Sequence, residues 1–148
     1  MAIRRIHSKG DWRHDEAVAT AVAITPGMIV ERITGGYVRA HSTEGGDGAF
    51  IVAMEDALQG KTVSQAYAVS VPIMLGLPVQ GSEMNCLLVA GESVVVGDDL
   101  VSNGLGMLIA EASVSSGVTV AKVFGKAAQV LDLSASGAVN TLCAVEVL

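Results

Sequence analysis

The sequence predicts an all-β domain, on three observations: an excess of valine, a shortage of helix starts, and glycine breaks between short apolar runs. Of 148 residues, twenty-two are valine, seventeen are glycine, and the only aromatics are Trp12, Tyr37, Phe50, Tyr67 and Phe124. Valine's branched β-carbon stiffens χ1 and suits a pleated strand. Glycine reaches the positive-φ conformations that tight turns need. Short strands at this spacing predict a barrel or a sandwich. One core organises a chain of this length, so the expected division is an extended arm over 1–16 and a single β-rich domain over 17–148.

The arm is expected because its texture differs from that of the remaining chain. Residues 1–16 carry Arg4, Arg5, Lys9 and Arg13, the only tryptophan, and His7 and His14. They show little strand alternation, and such a terminus is ordered only when something holds it. Ile3, Ile6 and Trp12 would then anchor the arm on a neighbouring subunit or partner, with Arg4, Arg5, Lys9 and Arg13 as its charged contacts. Arginine and tryptophan are residue types enriched at binding hot spots.

From Ala17 the chain becomes apolar. Thr25-Pro26-Gly27 has proline and glycine at the two central positions of a type II turn. Strands over 28–34 and 37–41 flank Gly35-Gly36, a two-residue hairpin signal. A polar loop over 42–48 precedes a strand over 49–54. Thr62-Val63-Ser64-Gln65 has the form of a capping box, the one helix start in the chain, with one or two turns expected to about Tyr67. Further strands are expected near 69–75, 85–90, 92–96, 107–112, 118–124, 127–132 and 141–147.

Charge and hydropathy narrow the function classes. The net charge is −6, and apart from the arm the body is more acidic still, which disfavours phosphate and so nucleic acid. A mean hydropathy of +0.53 is high, yet the charge-free run from Thr62 to Ser82 is broken by Pro72, Gly76 and Pro78 and does not make a membrane span. No apolar stretch comes after the first arginines, so no secretory signal is expected. The surplus apolar surface suits contacts between subunits. Cys86 and Cys143 sit singly in apolar runs and are expected to be buried free thiols.

Catalytic and metal patterns are weak. Gly60-Lys61-Thr62 would need a glycine at position 55 to form a phosphate loop, and Glu55 stands there. Gly104-Leu105-Gly106 lacks the third glycine of a dinucleotide fingerprint and reads as a turn. Glu55-Asp56 and Asp98-Asp99 are adjacent pairs whose side chains diverge on a strand. Asp47 alone falls short of a calcium site, and His7, His14 and His41 lack zinc spacing. A triad of distant residues is not excluded by sequence, but no serine has a nucleophile-elbow context. No catalytic residue, cofactor or metal is expected.

Residues 52–67 read VAMEDALQGKTVSQAY, residues 89–108 read VAGESVVVGDDLVSNGLGML, and Val123-Phe124-Gly125-Lys126-Ala127 precedes a final strand, Ala144 to Leu148. In that order these segments resemble the head-decoration, or capsid cement, proteins of tailed bacteriophages, over about residues 25–148. The resemblance implies a compact β-barrel or β-tulip-like domain, with at most one or two short helices and no active site. It makes Gly97-Asp98-Asp99-Leu100 a turn that launches a strand. It implies a virion protein on the outer surface of the capsid, in the host cytoplasm during assembly, that stabilises the major capsid protein lattice. Its partners would be the major capsid protein and copies of itself, a homotrimer preferred over a homodimer. A head-fibre base or baseplate β-domain is the alternative within the virion. A small ligand-binding barrel or enzyme is the alternative outside it.

Overall fold

A computed structural model describes residues 5–20 and 22–148, and every element longer than three residues in it is a strand. The strands are β1 (His7–Lys9), β2 (Trp12–Val18), β3 (Val30–Arg32), β4 (Val38–Ala40) and β5 (Val52–Ala53). Next come β6 (Pro72–Pro78), β7 (Glu83–Leu88), β8 (Ser93–Val94) and β9 (Asp99–Ser102). The chain ends with β10 (Leu108–Ala110), β11 (Val123–Ala127), β12 (Leu131–Asp132) and β13 (Thr141–Val147). The all-β class predicted from valine and glycine content is the class observed.

The strands enclose two cores. In the first, pairing runs from β7 to β10, β9, β11 and β13, and β13 returns to β7, which closes a five-stranded barrel. The closing pair is the longest in that ring, from Thr141 opposite Leu88 to Glu146 opposite Glu83. Met84, Cys86 and Leu88 alternate inward from β7 and meet Leu100, Leu108, Phe124, Cys143 and Val145. Closure leaves no free edge inside the ring. At one corner β11 shifts register against β9 between Val123 and Gly125. A β-carbon on Gly125 would lie 2.5 Å from the Glu146 carbonyl oxygen, so only glycine lets β11 and β13 approach there.

The second core is rolled from β2, β6 and β5 with the β3–β4 hairpin. Ile29 bridges Val52 on one side and Ala19 bridges Val38 on the other, so the ends of the sheet meet. Ala19, Ile24, Val30, Val38, Ile51, Ala53, Tyr67, Ile73 and Leu75 fill it. The predicted turns lie at its rim. Met28 N–H donates to the Thr25 carbonyl at 3.0 Å and Gly27 has φ +93°, the type II geometry. Gly35 and Gly36, at φ +86° and +81°, lie in the β3–β4 connection, but Ile33 N–H donates to the Tyr37 carbonyl, so the loop has three residues, Thr34 to Gly36, instead of the expected two.

The helix expected after Thr62 does not form. Gln65 Oε1 does accept the Thr62 N–H at 2.7 Å, but the Thr62 hydroxyl turns to Ser64 rather than to the Gln65 amide. Tyr67 is then drawn into the second core by its two backbone bonds with Ile24. With so few residues before that anchor, one turn cannot repay helix nucleation. The helical turns that exist are short 3₁₀ pieces at Ala57–Gln59 and Glu111–Ser113.

The expected arm is likewise corrected over its described part. β1 pairs with β7 and the whole of β2 pairs with β6, from Trp12 opposite Pro78 to Val18 opposite Pro72. Ile6 is fully buried in the first core. Basic composition misled here because the charged side chains of β1 and β2 point outward while their backbones complete the sheets. Replacing Ile6 with alanine should therefore cost about 2–5 kcal/mol in a urea melt, as large-to-small core changes do, and deleting residues 2–16 should abolish cooperative folding. A separable arm would leave both melts unchanged.

Candidate interaction surface

Of the seven residues expected at an interface, the five described ones are divided between core and surface. Ile3 and Arg4 lie outside the described residues. Ile6 is core, and its N–H donates to Glu55 Oε2 at 3.1 Å. Lys9 projects from β1 and pairs with Glu83 at 3.3 Å, with the Lys9 side chain 75% exposed, so the pair contributes little to stability. Arg5 is exposed, and its carbonyl accepts the Asn85 side-chain amide at 2.8 Å. Trp12 is half-buried, its ring 5.8 Å from that of His7 and 6.0 Å from that of His14. Arg13 is exposed on β2, opposite Leu77. Arg5, His7, Trp12, His14 and Glu55 thus surround one open cleft of about 230 Å³. A second cleft of about 490 Å³ continues past Leu58 and Met74 to Lys61 and Tyr67.

Tyr67 and Asp56, which line the second cleft, are engaged in bonds within the chain. The Tyr67 hydroxyl donates inward to the Met54 carbonyl at 2.8 Å, and burial pushes its pKa up to about 12. Asp56 Oδ1 accepts the Gln59 N–H at 3.3 Å and so caps the 3₁₀ turn. Gly60 closes that turn at φ +69°, so the Gly-Lys-Thr run is a turn with no cradle for phosphate. Among the described residues no three His, Cys, Asp or Glu side chains gather as a metal site. The remaining acidic pair is spent on backbone and strand: Asp98 Oδ2 accepts the Val95 N–H at 2.9 Å, and Asp99 pairs with Lys126 across β9 and β11 at 2.5 Å.

One pair does resemble a nucleophile and its base. His41 Nδ1 lies 2.8 Å from Ser102 Oγ, and both residues are fully buried. His41 Nε2 lies 3.2 Å from the Asp47 carbonyl, which can only accept, so the network assigns the ring proton to Nε2. Nδ1 then accepts the Ser102 hydroxyl proton, and Ser102 Oγ accepts the Gly104 N–H at 3.1 Å. Every polar atom in this chain of bonds is satisfied, and the serine is fully shielded from solvent. The bonds pin the glycine loop 42–48 to β9. Sequence reasoning placed His41 at a strand end but had no signal for its burial, since Ser102 is distant in the chain.

The cysteines are free and buried, as expected, and the structure sets them opposite each other on β7 and β13. Burial drives both thiols up, Cys143 to about 11 and Cys86 further.

No known family profile matches this chain, and no curated protein sequence matches it. Solved structures do. The crystal structure of the head fiber gp8.5 N base in bacteriophage phi29 superposes with a TM-score of 0.56 at 12% sequence identity. The superposition covers 93% of this chain and 95% of that one. At that identity the likeness shows a shared fold.

Ser102→Ala should leave the His41 ring without its donor and cost about 1–3 kcal/mol, the penalty of an unsatisfied buried group, read as a lower denaturation midpoint. A thiol reagent at pH 8 should leave both cysteines unmodified in the native protein and label both in denaturant, because thiolate is the reactive form.

Proposed function

We propose that this chain is a non-enzymatic structural component of a tailed-bacteriophage virion, a base module seated on the outer surface of the head. The observation that carries this reading is the end-to-end superposition on a head-fibre base, 93% of one chain on 95% of the other. A shared barrel alone would align part of each chain, whereas this correspondence runs over nearly the whole length of both.

The chemistry agrees with that role. Polar groups that sequence reasoning weighed as catalytic serve as caps, ladders and the His41–Ser102 pin. A closed barrel gives rigidity, and exposed apolar side chains such as Leu58 and Leu105, 86% and 67% exposed, supply contact surface. A base module needs those properties, together with a face for the major capsid protein and a face for copies of itself. A homotrimer or homodimer on the shell, assembled from the host cytoplasm, fits this reading.

A second reading, capsid cement spread over the lattice, is favoured by the ordered likeness of residues 52–67, 89–108 and 123–127 to decoration proteins. The two differ in distribution. A fibre base occupies the sites from which fibres project, whereas cement coats equivalent positions across the shell and stiffens it by many simultaneous contacts.

Cryo-electron microscopy of the source particles should place this fold on the head exterior, beneath projecting density. A continuous coat at every equivalent lattice position would favour cement. Particles carrying the chain only on tail or baseplate, or not at all, would contradict both.

A further inference from the structure

Among the described residues, the longest edge strand is open along one side. β1 is short and carries Lys9, and the β8–β12 ribbon has two residues per strand. Short length and lysine are ordinary ways of blunting an edge. β2 runs for seven residues from Trp12 to Val18 without proline or lysine, paired on one side only to β6. On the other side β4 begins to cover the chain only at Ala19 and Thr20.

The hydrogen bonds fix which groups face outward. Val79 N–H donates to the Asp11 carbonyl, and Thr20 N–H donates outward to the Val38 carbonyl. Antiparallel ladders alternate residue by residue, so Arg13, Asp15 and Ala17 direct their backbone groups to β6. Trp12, His14 and Glu16 direct theirs to the open side. Glu16 N–H meets only the side chain of its neighbour Asp15, at 2.8 Å.

We propose that this edge pairs antiparallel with β2 of a second copy, about a twofold axis at His14, to form a homodimer. Charge selects the occupant and the register. A twofold antiparallel pair must set one residue against its own copy. Centred on Arg13 or on Asp15, it would oppose like charges directly, which is unfavourable. Centred on His14, it sets Arg13 against Asp15 of the other copy, twice. Trp12 then faces Glu16 on the opposite face, and His14 exchanges backbone bonds with its counterpart. Arg13 has no ion pair within the chain among the described residues, while Asp15 holds Arg32 through Oδ2 and the Glu16 N–H through Oδ1, a bond that pairing of Glu16 with Trp12 of the other copy would release. This inference rests on the strand edge and stands whether or not the virion reading does.

Sedimentation of the full chain across concentration tests it, with circular dichroism confirming that each variant folds. The wild type should form a dimer that weakens as salt rises. His14→Pro removes one outward N–H and leaves the β6 ladder whole, because proline is tolerated where an edge N–H faces solvent; it should be monomeric. Arg13→Glu and Asp15→Arg should each weaken dimerisation at least tenfold, and mixing the two should restore a one-to-one heterodimer, since each then meets its opposite charge. A monomeric or trimeric wild type would overturn the proposal. So would a His14→Pro dimer as tight as wild type, or a mixture of the charge variants that stays monomeric.

Discussion

Everything in this fold hangs on the turn that joins β6 to β7, because each strand it links is the central strand of a different core. β6 holds β2 and β5 on its two edges, and β7 holds β13 on one edge with β1 and β10 on the other. The connecting turn, Val79 to Ser82, is tied to both chain ends. Val79 N–H and the Ser82 hydroxyl both donate to the Asp11 carbonyl, and Gly81 and Ser82 exchange bonds with Val147. Neither core can close until distant segments arrive at these two strands. Such non-local pairing makes folding slow relative to a helical protein of the same size, and it yields a rigid product.

That rigidity explains how the polar residues are used. A closed barrel has few places for an unpaired polar group, and no buried side-chain N or O lacks a partner among the described residues. His41 and Ser102 satisfy each other and the loop that covers them. Asn85, on the outer side of the β7 ladder, binds residues 5 and 6 with its backbone and side chain. Polar chemistry is thus largely taken up in joining segments.

The sequence disclosed the fold class and the turns because these depend on local chemistry. Thr25-Pro26-Gly27, Gly35-Gly36 and the two glycines around Leu105 force their geometries whatever surrounds them. β13 was visible from the apolar run Leu142 to Val145, and buried cysteines as small apolar residues. What escaped notice depends on distant partners. β2 reads Trp-Arg-His-Asp-Glu-Ala-Val, with no apolar alternation, because one of its faces is largely wet and its order comes from the backbone ladder with β6. The capping box failed because Tyr67 is claimed by Ile24 before a helix can propagate. Of the interface residues expected from composition, Ile6 went to the core, while Trp12 and Arg13 stayed at the surface on a strand edge instead of a mobile arm.

The claim that the N-terminal segment is part of the fold centred on β6 and β7 is tested most directly by hydrogen exchange of individual backbone amides. Met84, Cys86, Leu88 and Leu75 should exchange only through global unfolding, and Arg13, Asp15 and Ala17 should exchange with them, because their N–H groups lie in the β6 ladder. His14 in the dilute monomer should exchange far faster than its neighbours. Uniformly fast exchange across residues 7–18, with the barrel still protected, would contradict the account and return the segment to an arm.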